Sequence, residues 1–243
     1  MKIIEHDTKV KMKNVEFNCD RPFCNEKDLA KMGCFRDLAY SFNMAFIGKP
    51  GSGKTTLVFS FLQTIFKKKY NNILLVMPPN SRASIKNNPL ADLPGNKVFD
   101  ELNAQSIDSI IDFLEEATKR KERTLVFMDD IASQLKGAGS RYTQQRLKHL
   151  SFNRRHYKAS LLFTVQSYLT IPKDIRKTLS HIIMFQPSKT EAEVLFQELF
   201  NLKKKETMEL FNAVFKKKHD YLYLCVDSQK MFNKDQNEII YSE

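Results

Sequence analysis

Eight consecutive residues, Gly48-Lys49-Pro50-Gly51-Ser52-Gly53-Lys54-Thr55, fit the pattern G-x-x-x-x-G-K-[ST] without a departure. Residues of these types suit the cradling of a polyphosphate. Small residues let successive backbone N–H groups turn inward around one phosphate, and a helix starting beyond Gly53 aims its positive end at the same anion. Lys54 supplies a point charge for the outer phosphates, Thr55 a hydroxyl for Mg2+, and Thr56 closes the nucleotide-contacting run. Holding a nucleotide does not cleave it, so a carboxylate must anchor the metal and another group must polarise water. Leu125-Val-Phe-Met-Asp129-Asp130 supplies both, because four apolar residues bury a strand and two aspartates emerge at its end. Asp129 is expected to bind Mg2+ together with Thr55, and Asp130 to act as general base, with a helix N-cap as its competing role. The run Phe163-Thr-Val-Gln166 brings a neutral amide to a strand end, where Gln166 is expected to sense the γ-phosphate or orient the water, or else to cap the strand. A guanine-reading Asn-Lys-x-Asp motif is absent, since Asn96-Lys97-Val98-Phe99 and Asn233-Lys234-Asp235-Gln236 both lack the final Asp in register. ATP is the expected nucleotide.

These groups need a sheet to hold them. Asn43 to Ile47 reads as a buried strand running into the glycine loop, and three of the seven glycines, Gly48, Gly51 and Gly53, fall there. Lys54 to Tyr70 has apolar residues at helical spacing. Further apolar runs at Ile73–Met77, Leu125–Met128, Ser160–Val165 and His181–Phe185 alternate with helical patterns at Ser106–Lys119 and about Thr143–Tyr157. That alternation predicts an α/β fold, a doubly wound, mainly parallel sheet with helices on both faces. Pro79 to Gly95 and Ala132 to Tyr142 read as surface connections after strand ends, where ligand loops of such sheets lie. Beyond Thr190 the pattern gives two helical runs and an antiparallel strand, Tyr221–Val226. Residues 1–40 are expected to form an extension, edge or lid, and residues 41–243 the nucleotide-binding domain.

The chain has 243 residues, 42% of them hydrophobic and 28% charged, which excludes a disordered tail or a fibre. It has no long apolar stretch and its N-terminus lacks the apolar centre of a signal peptide, so an intracellular protein is expected, with no membrane partner. A formal charge of +11 favours a polyanionic partner, nucleic acid first. Cys19, Cys24, Cys34 and Cys225 are too few for a disulfide scaffold. Cys19, Cys24 and Cys34 with His6 would make a metal set, but the spacing lacks a zinc knuckle and small buried side chains fit better. Lysine triplets at 67–69, 203–205 and 216–218 read as solvated helix ends rather than DNA contacts.

Beyond the aspartates the chain continues with Arg154-Arg155-His156, Gln166, Ile171-Pro172-Lys-Asp-Ile175-Arg176 and the apolar run His181–Phe185. With the phosphate loop and the Asp pair, this order resembles the viral genome-packaging ATPases of the FtsK–HerA superfamily, in the branch of poxviruses, giant viruses and virophages. The resemblance runs from about Asn43 to Phe185. It implies a RecA-like ATPase fold and a pentameric or hexameric ring of copies. Such a ring uses ATP and Mg2+ to thread double-stranded DNA into a preformed capsid, docked on capsid or portal-region proteins, in the host cytoplasm or virion. A neighbouring subunit would deliver an arginine to the γ-phosphate, Arg176 being the first candidate and Arg155 the second. Lys136-Gly-Ala-Gly-Ser-Arg141 is the candidate DNA-contacting loop, with a plain flexible connection as its alternative. The alternative functions are a cellular translocase or helicase of the same superfamily and a nucleotide-switched binding protein with slow hydrolysis.

Overall fold

The computed structural model describes residues 33–35, 37–66, 68–86, 88–136 and 138–240. Cys19, Cys24 and His6 lie outside the described residues, whereas Cys34 and Cys225 are buried free thiols. Burial pushes the Cys34 thiol up to about 11, which keeps it protonated and unreactive.

Eight strands form one sheet: β1 (Asn43–Ile47), β2 (Asn72–Val76), β3 (Val98–Phe99), β4 (Thr124–Met128), β5 (Ala159–Val165), β6 (His181–Phe185), β7 (Tyr221–Cys225) and β8 (Lys230–Asn233). Their order is β3-β2-β4-β5-β1-β6-β7-β8. The first six are parallel, and β7 and β8 run antiparallel to their neighbours. β1 is paired on both sides and covered on both faces, which is why all five of its residues are buried and four of them, Met44 to Ile47, are apolar.

Alternate side chains feed two cores. Ala45, Ile47, Val126, Met128, Phe163 and Met184 face α3 (Ala104–Lys119), α4 (Arg141–Asn153), α6 (Lys189–Phe200) and α7 (Lys204–Val214). Met44, Phe46, Phe127, Leu162 and Ile183 face α1 (Lys54–Thr64) through Val58, Phe59, Phe61 and Leu62. Cys34, Phe35 and Leu38 belong to that second core, so the packed body begins before residue 41. α3 starts on a reciprocal cap, with Asn103 Oδ1 accepting the Ser106 N–H at 2.9 Å and Ser106 Oγ accepting the Asn103 N–H at 2.8 Å.

The helix expected to reach Tyr70 stops at Thr64. The Phe66 N–H bonds to the Phe61 carbonyl, breaking the helical register, and the Phe66 ring then turns into an aromatic cluster with Phe42, Phe61 and Tyr70. The Pro79–Gly95 connection contains the short helix α2 (Pro79–Ala83) and leads to the edge strand β3, tied back by an Arg82–Asp100 ion pair of 2.7 Å. α5 (Lys173–Arg176) lies between β5 and β6, and among the described residues no helix is long and apolar enough to cross a membrane.

Candidate active site

Gly48, Asp129 and Gln166 each directly follow the last residue of β1, β4 and β5, three adjacent parallel strands. The fold therefore brings together at one sheet edge residues that the sequence spreads over more than a hundred positions. Backbone bonds knit the strand ends: the Gly48 N–H donates to the Val165 carbonyl at 3.1 Å and the Asp129 N–H to the Val76 carbonyl at 2.8 Å.

In the phosphate loop, Gly51 and Gly53 have φ of 73° and 102°, the left-handed region open to glycine, and Gly53 is the residue on which α1 starts. Lys49, Pro50, Gly51 and Thr56 are exposed, Ser52, Gly53 and Thr55 half-buried, and Lys54 buried. The Lys54 ammonium lies on the carbonyls of Gly48 (2.5 Å) and Lys49 (3.2 Å). Burial lowers its proton affinity, and the charges of Asp130 and Asp129 oppose that.

Asp129 is 6% exposed and its Oδ1 accepts from the Thr164 hydroxyl at 2.8 Å and the Thr55 hydroxyl at 3.3 Å. Burial pushes its carboxyl above the usual range; Thr164 works against that shift, and the neighbouring Asp130 adds to it. Asp130 is exposed, with φ of 47°, a conformation aspartate tolerates better than most side chains. Its N–H donates to Thr164 Oγ1 at 2.8 Å, and its carboxylate accepts from Gln166 Nε2 at 3.1 and 3.4 Å. Thr55, Asp129, Asp130 and Gln166 thus form one connected constellation. Its oxygen donors, a hydroxyl and a buried carboxylate, suit a hard cation such as Mg2+.

Two members were not expected. Thr164 is fully buried and links both aspartates through a single hydroxyl; the signal available was a hydroxyl residue interrupting the apolar run near the end of β5. His219 comes from the turn before β7 and places Nδ1 2.8 Å from the Ser52 carbonyl, a contact across 167 residues with no local signal.

The arginines lie elsewhere. Arg155 is exposed in the turn that enters β5, at the sheet edge opposite the phosphate loop. Arg176 has a side chain only 12% exposed, pairs with Glu198 at 3.1 Å and lies 4.8 Å from the centre of the Tyr168 ring. In this placement the Arg176 guanidinium meets Glu198 and the Tyr168 ring of its own chain. Lys136 and Arg141 of the candidate DNA loop are exposed.

The fold resembles the DNA-packaging ATPase B204 of Sulfolobus turreted icosahedral virus, with a TM-score of 0.60 and 16% identity over 80% of this chain and 97% of that one. B204 of Sulfolobus turreted icosahedral virus 2, solved in complex with AMPPCP, also gives a TM-score of 0.60, at 14% identity over 84% of this chain and 99% of that one. The α/β fold expected from the sequence, a mainly parallel sheet with helices on both faces, is the one found. In sequence, the chain is 24% identical over 197 residues to the "DNA packaging protein OPG160" of monkeypox virus, a match that takes in 75% of this chain and 63% of that protein. The same-named vaccinia virus (strain Copenhagen) protein is also 24% identical over 197 residues, 70% of its length. A family model described as the poxvirus A32 protein matches residues 35–243. Because that match runs from the first packed residues beneath α1 through both antiparallel strands and takes in every residue of the site, the chain belongs to the poxvirus A32 protein family.

Proposed function

We propose that this protein is an ATP-driven motor that moves double-stranded DNA into a viral capsid, working as a ring of copies in the cytoplasm of the infected cell. The observation that carries the reading is the constellation at the ends of β1, β4 and β5, where Thr55 meets Asp129 and Gln166 meets Asp130. Membership of the poxvirus A32 family, relatives named for DNA packaging, and the charge of +11 support the polymer on which the motor acts.

The phosphate loop binds the triphosphate through inward N–H groups and the start of α1. An arriving triphosphate offers Lys54 a charged partner in place of two carbonyls, which draws the ammonium onto the outer phosphates. Thr55 and Asp129 would hold Mg2+, which when bound neutralises charge on the β- and γ-phosphates. Asp130, steadied by Gln166, accepts the proton of the attacking water as its oxygen bonds to the γ-phosphorus and the bond to ADP breaks. Among the described residues Lys54 is the buried cation of the phosphate loop, and a further cation for the charge that develops on the γ-phosphate comes from a neighbouring copy. Arg155 suits that role better than Arg176, because it is exposed and remote from its own phosphate loop.

Purified wild-type protein is expected to hydrolyse ATP faster with duplex DNA than without it. Lys54→Ala is expected to lower turnover by about a hundredfold or more, the scale of losing one preorganised charge stabiliser. Turnover of the variant at the wild-type rate would remove this site from the reaction.

A further inference from the structure

Lys216, Lys217 and Lys218, expected to be a solvated helix end, lead directly into His219, whose imidazole touches the phosphate loop. β7 runs antiparallel to β6, so its first residue lies at the same sheet edge as Gly48. The turn is fixed from below by Asp220, which is 5% exposed. Asp220 Oδ2 accepts the N–H groups of Lys216 (2.9 Å) and Lys217 (2.6 Å), and Oδ1 pairs with Lys234 at 2.6 Å. Lys234 first, then those two N–H groups, hold the Asp220 carboxyl below its ordinary range. With Asp220 and its backbone so bound, the three lysine side chains are left exposed at the surface.

His219 has φ of 71°, a left-handed conformation that costs a non-glycine residue free energy and recurs at functional sites. That conformation sets Nδ1 2.8 Å from the Ser52 carbonyl. In a trans peptide the carbonyl and the following N–H point opposite ways. Holding the Ser52 carbonyl on His219 therefore directs the Gly53 N–H to the other side, the inside of the phosphate loop. A β-carbon on Gly53 would lie 3.4 Å from Nδ1, so the imidazole is packed as well as bonded against the loop.

We propose that the Lys216–His219 turn is the element through which the DNA backbone acts on the nucleotide site. The lysines take phosphates of the duplex, and His219, a positioning residue, passes the turn's placement to the Ser52–Gly53 peptide. The proposal rests on the packaging reading for the identity of the polyanion. Reciprocity of binding requires that if DNA tightens the loop on nucleotide, nucleotide tightens the turn on DNA by the same factor.

The test uses the full chain, a short fluorescent duplex of random sequence, and ATP turnover with and without that duplex. Lys216→Gln/Lys217→Gln/Lys218→Gln is expected to keep the wild-type basal rate and KM for ATP, lose most of the DNA stimulation, and reduce the salt slope of DNA binding by about 2 to 3. His219→Ala is expected to raise KM for ATP several-fold without DNA and to lose stimulation. His219→Gln, whose amide can still donate to the Ser52 carbonyl, is expected to recover much of both. Stimulation and salt slope unchanged in the lysine variant, or a His219→Ala KM equal to that of the wild type, overturns the proposal. Wild-type protein that hydrolyses ATP but ignores DNA overturns the packaging reading and the role given to the lysines, while the KM comparison of His219→Ala with His219→Gln still decides the link to the loop.

Discussion

Thr164 holds the site together at the scale of single residues, because one hydroxyl donates to Asp129 and accepts from the Asp130 N–H. A hydrogen bond to a charged group contributes about 1.5–3 kcal/mol, and here it opposes the burial that pushes Asp129 towards its protonated form. Thr164→Val keeps the shape and removes the hydroxyl. It is expected to raise the Mg2+ concentration needed for half-maximal turnover by about tenfold or more, with Thr164→Ser near wild type. An unchanged Mg2+ titration in the valine variant would show that Asp129 does not depend on this hydroxyl. The principal groups, Lys54, Thr55, Asp129, Asp130 and Gln166, were legible in the sequence because each follows an apolar run or a glycine cluster. Thr164 and His219 were not, since a buried hydroxyl in a strand and a histidine after three lysines acquire meaning only once the sheet order is known.

Among the elements, β1 and β6 were legible because each carries four consecutive apolar residues after one polar residue, Asn43 or His181, a run too short for an ordinary helix. β3, two residues long, and β8, four, carry too little pattern to be read and exist through pairing with β2 and β7. The closeness of β1 to β6 just beyond their ends makes a prediction. A β-carbon on Gly48 would sit 2.7 Å from Ser52 Oγ and 2.8 Å from Phe185 Cβ, the latter held in the core. Gly48→Ala is therefore expected to lower stability by about 1–3 kcal/mol, the usual cost of overpacking, and to weaken nucleotide binding by shifting the loop. Thermal melting with and without ATP measures both, and a variant that melts like the wild type would mean that the loop absorbs the methyl.

For the molecule as a whole, stability depends on His181, which lies beneath the junction of parallel and antiparallel strands. Its Nδ1 is 2.9 Å from the Tyr223 hydroxyl, and burial pushes the imidazole from 6.5 down to about 4. It is neutral in the fold, while the unfolded chain takes up a proton near its ordinary pKa. The stabilisation is thus complete above about 6.5 and is lost as pH falls towards about 4, at roughly 1.4 kcal/mol per unit. The urea midpoint of the wild type is expected to fall through that window more steeply than that of His181→Gln, and identical slopes would exclude His181 as the source. The sheet's borders have a consequence of their own. β3 is a two-residue stub, while Asn233 and Met231 of β8 are bonded to Asn237 and Ile239 of the chain's own following segment, with Lys230 opening that strand and Lys234 directly after it. Among the described residues neither margin offers a long free ladder for strand addition, which guards the sheet against edge-to-edge aggregation.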